Sequence, residues 1–249
     1  MCGIAGFSLS KRERINANKL SSALLLGIEE RGQPATGAAW HNPTNDEIWI
    51  QKDAVTASEF VKNNGLAGNT RAAILHTRWA TKGDVSIPAN NHPIDVKGLV
   101  GIHNGCIFND DEIFERIGSE KRIAQVDSEA IFANLLHGEG ETVEKLSEVK
   151  GSAAVAWLDA TGPDSVHIAR ISSSPLVIAT TAMGSVIFAS TENAIRKGAN
   201  SVGMKITNMM RLDEGGYLEF LDGQVIQSAT FSAEKRVLSD TEKRALNLV

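Results

Sequence analysis

Six short extended runs crowd into one stretch of the chain, at residues 153–158, 165–171, 176–181, 186–190, 217–221 and 224–227. Turn residues punctuate them: Gly184 breaks one pair, and Asp222-Gly223 is a two-residue hairpin signal because both positions tolerate positive φ. Strands this short and this numerous cannot hide their apolar faces in one open sheet. They need a second sheet or a layer of helices against them.

The first half supplies the helices. Residues 16–30 put Leu20, Ala23, Leu24, Gly27 and Ile28 on one helical face. Thr56 with Glu59 is a capping-box signal for a helix that stops at Gly65. Asn109 with Glu112 starts another that closes at Gly118, and Asp127-Ser128 opens one that runs to His137. A short helix is expected over 191–197, and a charged one over 233–246. Strands are expected at 3–8, 38–40, 48–51, 72–77 and 99–103. No shift in composition divides the 249 residues, so a single α+β layered domain is expected, ending in a polar helical segment at 233–249.

Composition excludes some partners. A net charge of −5 gives no general basic face for nucleic acid. No apolar run approaches the ~20 residues that cross a bilayer. The start, Met1-Cys2-Gly3-Ile4-Ala5-Gly6-Phe7, lacks the basic stretch and apolar core of a secretory signal, so a cytoplasmic protein is expected. Cys2 and Cys106 have no metal-ligand spacing and no reason to pair in a reducing compartment.

The chemistry starts at Cys2. Removal of Met1 would leave one residue with both a thiol and a free α-amine, and an amine of pKa ~8 can take the proton of a thiol of pKa ~8.5. Alone, a small residue at position two means little. Three polar clusters give it company: His76-Thr77-Arg78-Trp79-Ala80-Thr81 and His103-Asn104-Gly105, each expected to emerge at the end of an apolar strand, and Asp127-Ser128-Glu129 at a helix start. Arg78 offers a planar donor for a carboxylate, Asp127 an anion for an ammonium, and Asn104 with the Gly105 N–H two donors for an oxyanion. Together they suit an amino-acid substrate with a reactive carbonyl.

Cys2-Gly3-Ile4-Ala5-Gly6, Arg31-Gly32-Gln33, the Arg78 cluster, Asn91-His92-Pro93, the Asn104 cluster and Asp127-Ser128-Glu129 resemble, in order, the motif series of class II glutamine amidotransferases. The arginine motif continuing as Trp-Ala-Thr is most similar to the glutaminase domain of glucosamine-6-phosphate synthase, while Arg31-Gly32-Gln33 is nearer the amidophosphoribosyltransferase version. The likeness covers roughly the first 220 residues.

The resemblance implies a four-layer αββα sandwich, the N-terminal-nucleophile hydrolase fold. It implies hydrolysis of L-glutamine to glutamate and ammonia through a Cys2 γ-glutamyl thioester, with no bound cofactor or metal. Catalytic roles fall to Cys2, Asn104 and Gly105. Substrate binding falls to Arg78, Trp79, Thr81, Asp127 and His92, with His76, His92 and His103 orienting loops by hydrogen bonds. Cys106 is expected to be a buried small hydrophobe, and Glu129 a structural partner.

Two departures stand out: Pro34-Ala35-Thr36 where the family has an acidic residue with serine or alanine, and Lys82 where glucosamine-type enzymes have histidine. The family spends its ammonia in a second domain, so a separate synthetase or transferase subunit is expected as acceptor. The alternatives are a stand-alone amidohydrolase for another γ-glutamyl amide and a non-catalytic glutamine sensor.

Overall fold

The structure is a computed structural model and describes residues 1–45, 47–63, 68–79, 82–162 and 164–233. Among these, thirteen strands form two antiparallel sheets. Strands β1 (Gly3–Ser8), β2 (Ala35–His41), β3 (Ile48–Asp53), β4 (Ala72–Arg78), β9 (Val177–Thr181), β10 (Val186–Ala189) and β11 (Ile206–Arg211) make one, in the order β11-β9-β10-β1-β4-β2-β3. Strands β5 (Ile94–Val96), β6 (Leu99–Ile107), β7 (Gly151–Asp159), β8 (Val166–Ser172), β12 (Gly216–Leu221) and β13 (Gln224–Thr230) make the other, in the order β13-β12-β8-β7-β6-β5.

Three separate apolar clusters show how the layers stack. Ile4, Ile74, Val100, Ile102, Ala154 and Phe188 meet between the two sheets. Helices α1 (Ala17–Ile28), α2 (Ala57–Asn63) and α6 (Glu192–Ser201) cover the outer face of the seven-stranded sheet, where Leu20, Leu24, Phe60 and Ile195 pack on Ala5, Phe7 and Leu75. Helices α3 (Asp110–Ile117), α4 (Ser128–His137) and α5 (Thr142–Ser147) cover the six-stranded one through Ile113, Ile131 and Leu146. This is the αββα sandwich that the resemblance implied. Strand alternation drives it: Ile4 and Ile74 point inward while Ala5 and Leu75 point to the helices.

Local signals account for the edges of several elements. The Asn16 side chain caps α1 through Lys19 N, and Thr191 caps α6 through Ala194 N. Asp222 and Gly223, at φ 52° and 78°, turn β12 into β13.

Two expectations need correction. The cluster around Arg78 does emerge at a strand end, where β4 closes, but the one around Asn104 does not, because β6 runs on to Ile107. The pairing of β6 with β7 continues unbroken through Asn104 and Gly105, so the polar residues sit inside a ladder that holds their backbone in place. Cys106 is exposed, not a buried hydrophobe. The helix expected at 233–246 lies outside the described residues apart from Ala233, as does its counterpart stop at Gly65.

Candidate active site

The central strand of the seven-stranded sheet, β1, starts one residue after Cys2. Its neighbour β4 ends at Arg78, with Gly3 opposite Thr77. The register therefore brings Cys2 to the chain that leaves β4: Trp79 N–H donates to Cys2 Sγ at 3.3 Å, and Sγ lies 3.7 Å from the Trp79 carbonyl. Arg31 Nε ties down the Cys2 carbonyl at 3.0 Å. Burial pushes the Cys2 thiol up, against the Trp79 N–H, the terminal ammonium and Arg78, which favour the thiolate; the Asp127 charge pushes it up further.

Across the sandwich, β6 carries the second group. Ile102 points into the space between the sheets, and so by alternation does Asn104. Asn104 is fully buried, and neither its Oδ1 nor its Nδ2 has a hydrogen-bond partner among the described residues. A buried amide in that state costs about 1–3 kcal/mol, so it marks a place where stability is given up. Gly105 follows at φ 149°, and a Cβ there would lie 1.8 Å from the Ser152 carbonyl oxygen. Only glycine fits.

Arg78 is buried and already engaged. Its Nη1 donates to Asn91 Oδ1 at 2.7 Å, and its Nη2 to the carbonyls of Lys82 and Gly83 at 2.6 and 2.8 Å. Three of the five guanidinium donors thus hold the 82–91 loop. Lys82 continues the fastening with an ion pair to Asp110 at 2.7 Å, which Arg122 shares at 2.6 Å. Asp127 heads α4, and its Oδ2 accepts from Ile107 N at 2.8 Å. Its charge is felt at Cys2, Arg78 and His103, which brings the proposed ammonium anchor into the same electrostatic neighbourhood as the thiol.

The remaining candidates are placed as follows. The Trp79 side chain is half exposed, beside Met1, Glu30 and Arg31 around a shallow cleft of about 350 Å³. Thr81 lies outside the described residues. His92, at a cis bond to Pro93, is buried and stacks on His76 with ring centres 4.1 Å apart. Neither of its ring nitrogens has a hydrogen-bond partner among the described residues, so it orients by stacking and not by the hydrogen bonds expected. His76 and His103 do use them. His76 Nε2 donates to the His103 carbonyl at 3.1 Å, and Ser128 Oγ donates to His103 Nδ1 at 2.9 Å. Burial lowers the pKa of all three rings, that of His76 to about 3. Glu129 accepts from Ile123 N and Ala124 N and shapes the loop before α4. The described residues contain no group of three metal-ligating side chains, and no helix among them is long and apolar enough to cross a membrane.

The sequence pattern of the family described as "Glutamine amidotransferase domain" fits residues 76–197, the span that holds Arg78, Asn104, Gly105 and Asp127. The chain carries a class II glutamine amidotransferase domain.

The amidotransferase domain is 30% identical over 190 residues to the glutamine–fructose-6-phosphate aminotransferase (isomerizing) of Shouchella clausii strain KSM-K16, covering 72% of this chain and 30% of that one. It is 28% identical over 257 residues to the same-named protein of Oceanobacillus iheyensis, covering 98% and 41%. The domain thus spans well under half the length of these relatives. Among solved structures, the glutamine phosphoribosylpyrophosphate amidotransferase of B. subtilis, complexed with ADP and GMP, superposes with a TM-score of 0.73 at 21% identity, over 94% of this chain and 50% of that one. A glutamine aminotransferase class-II domain protein from Silicibacter pomeroyi superposes at 0.59 and 15%, over 93% and 100%. At these identities the structures speak for the fold alone.

Sequence reasoning missed two participants. Asn91 carries no signal beyond its motif, and Lys52, which binds its carbonyl, has none at all.

Proposed function

We propose that the amidotransferase domain is a glutaminase that frees ammonia from L-glutamine through Cys2. The observation that carries the reading is the Asn104 amide, buried without a partner on the strand facing that of Cys2. An oxyanion donor is the kind of group for which an orphaned amide makes sense, because its partner arrives only with the reaction.

The steps follow from the groups. With Met1 removed, the Cys2 α-amine accepts the thiol proton and the thiolate attacks the side-chain carbonyl carbon of glutamine. Asn104 Nδ2 and the Gly105 N–H stabilise the oxyanion. The C–N bond breaks, the nitrogen takes the proton and leaves as ammonia, and water cleaves the γ-glutamyl thioester to glutamate and the free thiol. Arg78 meets the substrate α-carboxylate with the donors that the 82–91 loop leaves over, and Asp127 meets the α-ammonium. Trp79 and His92 complete the pocket wall and its support.

The ammonia passes to a separate synthetase or transferase partner. Trp79, Ile87, Phe108 and Ile123, all on segments that carry the site, leave large apolar side chains exposed, as a docking face would. The test is glutamate release from glutamine by protein of known N-terminal mass, with Cys2→Ala as control. Release that survives Cys2→Ala would sink the mechanism. Cleavage of other γ-glutamyl amides in preference to glutamine would favour the stand-alone amidohydrolase.

A further inference from the structure

Lys52 stands on the edge strand β3, opposite Gly37 of β2. A Cβ at Gly37 would lie 2.1 Å from the His92 carbonyl oxygen and 2.9 Å from Pro93 Cδ. The bare position lets the His92–Pro93 segment lie flat on the strand, which delivers two carbonyls to the lysine. Lys52 Nζ donates to Asn91 O and Pro93 O, each at 2.8 Å.

This is an unusual use of an ammonium. It forms no ion pair among the described residues, and burial lowers its pKa to about 8 while the Asp95 charge partly offsets the effect. Desolvating a cation against neutral carbonyls is costly. The segment it holds is the one that sets Arg78. Asn91 gives its carbonyl to Lys52, its Oδ1 to Arg78 Nη1 at 2.7 Å, and its Nδ2 to the Val85 carbonyl at 2.7 Å. One residue thereby joins the lysine, the arginine and the 82–91 loop.

We propose that Lys52 is a positioning residue for glutamine recognition: its ammonium clamps the carbonyls on either side of His92 and through Asn91 holds Arg78 in the orientation that receives the substrate carboxylate. The proposal rests on the glutaminase reading. Lys52 touches no reacting atom, so its effect belongs in binding.

Lys52→Met keeps the stem and removes the donors; Lys52→Arg restores a permanent cation. In Lys52→Met the KM for glutamine should rise on the order of tenfold to a hundredfold, the scale of a misplaced binding group, with kcat within about threefold. Alkylation of Cys2 by iodoacetamide, which has no amino-acid end, should be unchanged, and amide hydrogen exchange should quicken across 82–91. Lys52→Arg should recover part of the KM. The pH profile adds a readout that plain stabilisation would not move. Wild-type KM should climb above about pH 8 as Lys52 loses its proton, and the climb should flatten in Lys52→Arg. The charged and titratable groups acting there are Asp95, whose charge favours the ammonium, and His92, whose pKa burial lowers well below its ordinary value. An active wild type whose Lys52→Met variant keeps its KM and its exchange pattern overturns the inference alone. A wild type without glutaminase activity overturns the underlying reading and the inference with it.

Discussion

Trp79 N–H donates to Cys2 Sγ at 3.3 Å, and among the described residues the sulfur has hydrogen-bonding contacts to the Trp79 backbone only. Among the described residues no side-chain base contacts the sulfur, so the proposed mechanism gives its proton to the α-amine that Met1 removal would create. In protein that retains Met1, Cys2 alkylation should show an apparent pKa above the ordinary thiol value of ~8.5, because burial is its largest influence. Removing Met1 moves the ammonium onto Cys2 itself and should lower that value. Iodoacetamide rates against pH, followed by mass in a Cys106→Ser background, decide it; identical profiles for the two forms would rule out the amine as partner.

Asn104→Ala should separate stability from activity. The wild-type amide is buried and unpaired, so its removal relieves a desolvation cost that roughly offsets the small cavity left behind. Urea denaturation should show a change within about 1 kcal/mol, while glutamate release falls about 10²–10³-fold. A large loss of stability would mean that the amide serves packing.

Gly105→Ala should do the opposite and fail as a fold. The new methyl would meet the Ser152 carbonyl oxygen in the adjoining strand β7, at a φ of 149° that other residues avoid. The expected destabilisation is about 2–4 kcal/mol, read from the denaturation midpoint. Near-wild-type stability would show that the β6–β7 ladder can shift to accept it.

The buried histidines predict an acid limit. His76 is fully buried, with its pKa lowered to about 3 by desolvation, whereas in the unfolded chain it titrates near 6.5. Above pH 6.5 both states are neutral and nothing is lost. Below it the unfolded state binds a proton that the folded state refuses, so stability falls by about 1.4 kcal/mol per pH unit until the folded pKa is reached. His92 and His103 add to the slope in the same direction. Stability measured from pH 7 to 4 should fall more gently in His76→Gln; an equal slope would mean that the ring is protonated in the folded state.

Much of the frame could be read from residues alone. β1, α3 and α4 have the expected limits to within a residue or two, α3 and α4 each closing at a glycine whose N–H bonds back into the helix. β11, α5 and β5 were not legible. Ile206–Arg211 is an edge strand without an alternating pattern, Thr142–Ser147 is a six-residue helix resting on a capping box at Glu141, and Ile94–Val96 is three residues long. In the site, residue types pointed to Cys2, Arg78, Asn104 and Asp127, since few side chains suit a thiol nucleophile, a carboxylate or an ammonium. The supports were hidden. Lys52 on an edge strand reads as a solvated charge, and only the close approach permitted by Gly37 turns it inward. The stack of His92 on His76 depends on β4 and the segment before β5 meeting in space, which no local pattern encodes.

The place of β1 sets an order of assembly. Its two neighbours are β4 and β10, and Ala5 pairs with Leu75 on one side and Ala189 on the other. The slot that β1 fills has no second wall until β10, some 180 residues later in the sequence, has been made. Contacts so distant in sequence form slowly. The opening strand must wait with one edge unpaired while later segments emerge, and a nascent chain halted before residue 186 could not close the sheet around it.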